Sequence, residues 1–115
     1  MPRMVPGMKY HHIGIPTQEK RDDEEYLPAF KVYVSSFDRG PFGIEWMRFE
    51  DDSPVPDLVK RVPHVAFEVP DLTTAIAGKE LLIEPNSPSE GVTVAFIVDD
   101  GAPIEFLEFS QPRTD

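Results

Sequence analysis

Short stretches of this chain alternate apolar and polar residues with a period of two, the spacing of half-buried strands. Phe30-Lys31-Val32-Tyr33-Val34 is one such stretch. Lys9 to Ile15, ended by Pro16-Thr17, has the apolar weight and β-branching of another. Ile44 to Glu50 follows a turn rich in Gly and Pro, Asp38-Arg39-Gly40-Pro41-Phe42-Gly43. Between the first two strands, residues 18–27 are highly polar, so only a short helix with little apolar face fits there. Asp51 to Pro63 holds three prolines and a short helical candidate, Asp57 to Arg61.

Beyond that stretch the pattern is cleaner. His64 to Val69 predicts a strand, and Asp71 is placed to cap a helix running to about Lys79, with Leu72, Ala75 and Ile76 at helical spacing. Leu81 to Glu84 predicts a short strand and Pro85 to Gly91 a loop. Val92 to Val98 and Ile104 to Phe109 predict two strands around the turn Asp99 to Pro103. The second half therefore reads βαβββ, and the first half reads the same with its helix short or missing. We expect residues 1–7 to form an N-terminal extension and residues 8–115 a single domain. That domain comprises a first module at about 8–50, a linker at 51–62 and a second module at about 63–109.

The halves also repeat their chemistry. His12-Ile13-Gly14-Ile15 is echoed by His64-Val65-Ala66-Phe67, and Ile44-Glu45-Trp46 by Ile104-Glu105-Phe106. Alternation puts Glu45 on one face with Met47 and Phe49, and Glu105 on one face with Leu107 and Phe109. A carboxylate among apolar neighbours is costly unless it is paired or bound to a cation. His64 shares a face with Ala66, and His12 with Gly14, so a small residue leaves room beside each imidazole. A lone strand histidine or glutamate is ordinarily a packing or surface residue. The joint recurrence of both types at matched places points to a divalent-metal site made of His12, Glu45, His64 and Glu105. Two imidazoles and two carboxylates suit Zn²⁺, Ni²⁺, Mn²⁺ or Fe²⁺ better than Ca²⁺ or Mg²⁺. His11 competes with His12 for the ligand role; strict alternation admits only one of them, and the register of His64 favours His12, leaving His11 at the surface. Tyr33, Met47, Phe49 and Phe96 are candidates for the walls of a cleft.

Composition narrows the function. There are no cysteines, which removes disulfides, thiolate ligands and a cysteine nucleophile. A net charge of −10 excludes a nucleic-acid partner, whose phosphates require a basic footprint. No apolar run reaches membrane-span length and the start lacks the apolar core of a signal peptide, so a cytoplasmic protein without a membrane partner is expected. The acidic stretch Glu19 to Glu25 reads as a solvated face. No phosphate-cradling loop, nucleophile elbow or calcium loop is present.

From Met8 onward the chain resembles the vicinal oxygen chelate superfamily, which includes glyoxalase I, extradiol dioxygenases and bleomycin-resistance proteins. His12-Ile13-Gly14-Ile15 looks like its first strand, His64 to Val69 like its fifth, and Asp100-Gly101-Ala102-Pro103-Ile104-Glu105 like its closing motif. The resemblance implies an α+β fold in which two βαβββ modules form a curled mixed sheet with a central cleft, and a homodimer. It places the metal ligands at His12, Glu45, His64 and Glu105, with Glu105 also the catalytic base. A small-molecule substrate or ligand is then the expected partner. Three activities remain open: a glyoxalase-like lyase or isomerase, an iron-dependent dioxygenase, and a non-catalytic antibiotic-binding protein.

Overall fold

The alternating stretches become the strands of one mixed sheet in the computed structural model, which describes residues 5–110. The first half supplies β1 (Lys9–Pro16), β2 (Glu25–Leu27), β3 (Val32–Val34) and β4 (Ile44–Phe49). Helix α1 (Asp57–Arg61) lies in the linker. The second half supplies β5 (His64–Glu68), α2 (Leu72–Ile76), β6 (Glu80–Ser89), β7 (Val92–Asp99) and β8 (Ala102–Phe109). The eight strands form a strongly curled sheet in the order β2-β3-β4-β1-β5-β8-β7-β6. No helix among the described residues is long and apolar enough to cross a membrane.

Each half uses the same path. Its first strand lies parallel to its last, β1 with β4 and β5 with β8, while the intervening strands run out to the sheet edge and back. The halves meet where β1 pairs antiparallel with β5. The fold is thus the expected pair of βαβββ-like modules, the first without a helix between its strands.

The two faces of the sheet are filled differently. On the outer face of the second module, α2 buries Leu72 and Ala75 against Ala95, Ile97 and Phe106, with Val5 and Met8 packed alongside. The first module has no helix to do this. Arg21 instead lies 4.4 Å over the Trp46 ring and Arg48 4.2 Å over the Tyr33 ring, so guanidinium groups cover its aromatic residues. Arg48 also donates two hydrogen bonds to Glu24, at 2.6 and 2.8 Å, which pins the acidic stretch to the sheet. The inner face holds Val32, Val34 and Met47 in one module and Ala66, Val92, Val94 and Leu107 in the other. Helix α1 closes that concave side, with Val55 and Val59 against Phe96, Phe49 and Ile83. Complete burial of Val59, 1% exposed, contributes about 1.5 kcal/mol.

Several elements differ from the sequence reading for physical reasons. Strand β6 continues through Pro85 and Pro88, where a loop is expected, because it is an edge strand and a missing amide donor can face solvent. Its pairing with β7 is correspondingly irregular. Part of the acidic stretch forms the opposite edge strand, β2, and no helix. Helix α2 stops at Ile76, short of Lys79, because Ala77 has left the helical region, with ψ at 129°. Asp71 stands at its N-cap but accepts from the Thr74 hydroxyl, and the Leu72 amide donates to Glu108 at 2.7 Å.

The β7–β8 hairpin turns on two residues, Asp100 and Gly101, both with positive φ (52° and 82°). That is the two-residue turn whose twist matches the strands. Gly101→Ala should therefore cost about 1 kcal/mol, read from the urea midpoint, because an L side chain is disfavoured in that conformation.

Candidate metal centre

Strand register brings the four sequence-predicted residues together at the seam between the modules. Parallel pairing sets Glu45 beside Gly14, two residues after His12, and sets Glu105 beside Ala66, two residues after His64. Antiparallel pairing sets His12 opposite Ala66 and His64 opposite Gly14. Each module thus contributes one imidazole and one carboxylate, and each imidazole faces a small residue of the other module. The need for a small residue is steric: a Cβ on Gly14 would lie 2.2 Å from Cε1 of His64.

The donors are close and buried. Nε2 of His64 is 3.0 Å from Oε1 of Glu105 and hydrogen-bonded to it. Nε2 of His12 lies 3.4 Å from Oε1 of Glu105 and 3.4 Å from Oε1 of Glu45. These two separations are electrostatic contacts, since Nε2 of His12 has no hydrogen-bond partner of adequate geometry. The candidate donor atoms of His12, His64 and Glu105 all lie within 4.8 Å of one another, and those three residues are buried. Glu45 stands at the rim of this group, beside His12. The two imidazole rings cross at 80° with centroids 5.7 Å apart, and Phe96 packs edge-on against His64.

Charge and burial oppose one another here. Burial disfavours the charged form of Glu105, but the close approach of His12 and the hydrogen bond and charge of His64 overcome it and hold the carboxyl at about 2. Burial also works against a charged His12, yet the Glu105 and Glu45 carboxylates raise its pKa above the ordinary imidazole value. Glu45 is raised, chiefly by burial, with the Glu105 charge adding to it and His12 opposing.

The residues present fit a divalent transition metal. Bonds of about 2.1 Å place neighbouring donors about 3.0 Å apart in an octahedral shell and about 3.4 Å apart in a tetrahedral one. The separations of 3.0 and 3.4 Å found here match those edges. A buried nitrogen without a hydrogen bond is costly, and an ion among these donors would satisfy Nε2 of His12.

Two placements differ from the sequence reading. His11, expected at the surface, lines the same cavity as His12, with Nδ1 atoms of the two rings 2.7 Å apart. The cause is an irregularity in β1: Tyr10 pairs with Phe67 and His12 with Ala66, which leaves His11 as an extra residue. A bulge depends on the partner strand, so no signal within β1 alone reveals it. Tyr33, a candidate wall residue, instead faces outward against Tyr26. Met47, Phe49 and Phe96 do line the cavity, together with Phe30, Phe37 and the linker residues Val55 and Val59. Its volume is about 150 Å³ and, among the described residues, no Lys or Arg lines it. The arrangement can hold a cation beside a small apolar hollow.

No family model matches the chain, and no curated protein matches it. Among solved structures it is similar to a hypothetical protein, BH1468, from Bacillus halodurans C-125. The identity is 23% and the TM-score 0.71, over 95% of this chain and 99% of that one. At that identity the likeness is one of fold, the curled mixed sheet of two repeated modules.

Proposed function

We propose that this chain is a divalent-metal enzyme of the vicinal oxygen chelate type, a glyoxalase-like lyase or isomerase. Its substrate is a small oxygenated molecule with an acidic C–H next to a carbonyl. The observation that carries this reading is the meeting of one His and one Glu from each module beside a largely apolar hollow. A transition metal bound by His12, His64, Glu105 and Glu45 supplies Lewis acidity, polarising the substrate carbonyl oxygen and stabilising charge that develops beside it.

The chain's own residues do the rest. The apolar walls (Phe30, Phe49, Phe96) and the Val55–Val59 cover limit the approach of water from that side, which strengthens the charge interactions beside them. His64 orients Glu105 by its 3.0 Å hydrogen bond. Glu105 is the base by resemblance to the family. Its carboxyl, held at about 2, is a weak proton acceptor in the metal-free chain, whereas the raised Glu45 carboxyl is tuned towards neutral pH. Both glutamates are ligands in this reading, and the raised carboxyl of Glu45 makes it the rival to Glu105 as base.

A second reading has its own support. A cavity with no Lys or Arg among the described residues, in a chain of net charge −10, suits a neutral or cationic guest, as in antibiotic-binding members. Absence of any turnover, with binding of a cationic guest that survives chelation, would favour it.

Thermal unfolding with and without Zn²⁺ between pH 6 and 8 tests the metal centre. His12 has a raised pKa, so the stability it gives the metal-free chain is complete below about 6.5 and lost as pH rises through the raised value. Glu45, a raised carboxyl, changes in the same direction, losing stability as pH rises from its ordinary value to the raised one. The Glu105 contribution, held at about 2, is lost only in acid and stays flat across this window. Ligation requires neutral imidazole, so the zinc-induced rise in Tm should grow from pH 6 to pH 8. No rise with Zn²⁺, Ni²⁺, Mn²⁺ or Fe²⁺ at any pH would overturn the metal reading.

A further inference from the structure

We propose that His11 is a positioning residue for His12: when a cation is bound, it accepts the Nδ1 proton of His12 and so holds the tautomer whose Nε2 can ligate. The inference rests on the metal reading above and extends it to a residue outside the ligand set.

The geometry leaves little freedom. The Nδ1 atoms of His11 and His12 are 2.7 Å apart, so one proton lies between them and one nitrogen accepts it. A neutral imidazole carries a single N–H. If that proton sits on Nε2 of His12, the nitrogen facing Glu45 and Glu105 has no lone pair to give a cation. If it sits on Nδ1, Nε2 is bare and can ligate. The second arrangement requires a bare Nδ1 on His11, which then carries its own proton on Nε2. Choosing the tautomer of a metal-binding histidine through its other nitrogen is what an outer-shell partner does.

The fold holds His11 for this purpose. The extra residue in β1 turns the His11 ring to the same side as His12, where ordinary alternation would send it to the opposite face. There the ring packs against Phe37, with centroids 4.4 Å apart, and against Phe109 at 5.9 Å. Those contacts fix its plane edge-on to His12, at 74°. A neighbour so constrained is pre-organised to accept one hydrogen bond in one direction.

Zinc titration of the full chain at pH 8 by calorimetry, with long-range ¹H–¹⁵N correlation spectra of the ring nitrogens in the zinc-loaded protein, reads the coupling. The expected result is Nδ1–H on His12 and Nε2–H on His11, whose Nδ1 accepts. With His11→Phe zinc affinity should fall on the order of 10- to 100-fold. His11→Asn, whose amide oxygen can accept in place of the imidazole, should restore most of the affinity, which a purely packing role would not predict. Nδ1–H on His11 in the zinc-loaded chain overturns the proposal, and that arm stands even if the Phe variant does not fold. Unchanged affinity in His11→Phe also overturns it. No zinc binding by the unsubstituted chain overturns the metal reading itself, a result distinct from the other two.

Discussion

Gly14→Ala, the smallest possible enlargement, should remove the metal site and lower stability by about 3 kcal/mol. The added Cβ would meet the His64 ring at three atoms, 2.2 Å from Cε1, 2.7 Å from Nε2 and 2.8 Å from Nδ1. Neither side can retreat. His64 is 1% exposed and backed by Phe96, 4.9 Å away between centroids. Gly14 pairs with Glu45 on one side and His64 on the other, so moving its backbone disturbs two ladders at once. Denaturant unfolding and a zinc titration measure the two effects. Gly14→Ala with His64→Ala in the same chain should recover much of the stability and none of the zinc affinity, a coupling that identifies the clash as the cause. Wild-type zinc affinity in Gly14→Ala alone would mean that the ring does not sit over this glycine.

The second large effect separates the two carboxylates. Glu105→Gln keeps the shape of the side chain but removes the charge that both imidazoles face, and it replaces an acceptor-only group with one that also donates. Zinc affinity should fall beyond the 100-fold typical of losing an outer-shell partner. Glu45→Gln sits at the rim, next to His12 alone, and should weaken zinc by about 10-fold. If Glu45 moves the proton, turnover should drop a further 10²- to 10⁴-fold at saturating metal, the usual contribution of a positioned acid–base group. If Glu105 is both ligand and base, Glu45→Gln retains most of its kcat once loaded. The pair of variants, assayed for metal content and turnover together, assigns the base whichever way it falls.

Most of the site was legible in the sequence because its cause is local and repeated. Alternation alone places Glu45 with Met47 and Glu105 with Leu107 on the inner face, and the small residue two positions after each histidine marks the place where the other module comes close. What was not legible depends on the partner strand. The extra residue in β1 is defined only against Phe67 and Ala66 of β5, so the sequence of β1 by itself assigns His11 to the wrong side. Strand β6 was hidden because Pro85 and Pro88 read as loop residues until the strand is known to lie at an edge. The missing first helix has a legible sign, the lack of apolar spacing in residues 18–27. Its replacement, Arg21 and Arg48 over Trp46 and Tyr33, joins residues too far apart in the chain to be seen as a layer.

The seam between β1 and β5 has a consequence for how the chain holds together. Since neither module owns more than half of the donors, a cut within residues 51–54 turns an intramolecular site into a junction between two separate molecules. Reassembly of the fragments then becomes a matter of mass action, set by peptide concentration and by free zinc jointly. An excess of about 100-fold over the zinc dissociation constant adds about 2.7 kcal/mol to that association. In the intact chain the same free energy acts as a bolt across the seam, and the two modules should open together or not at all while it is closed.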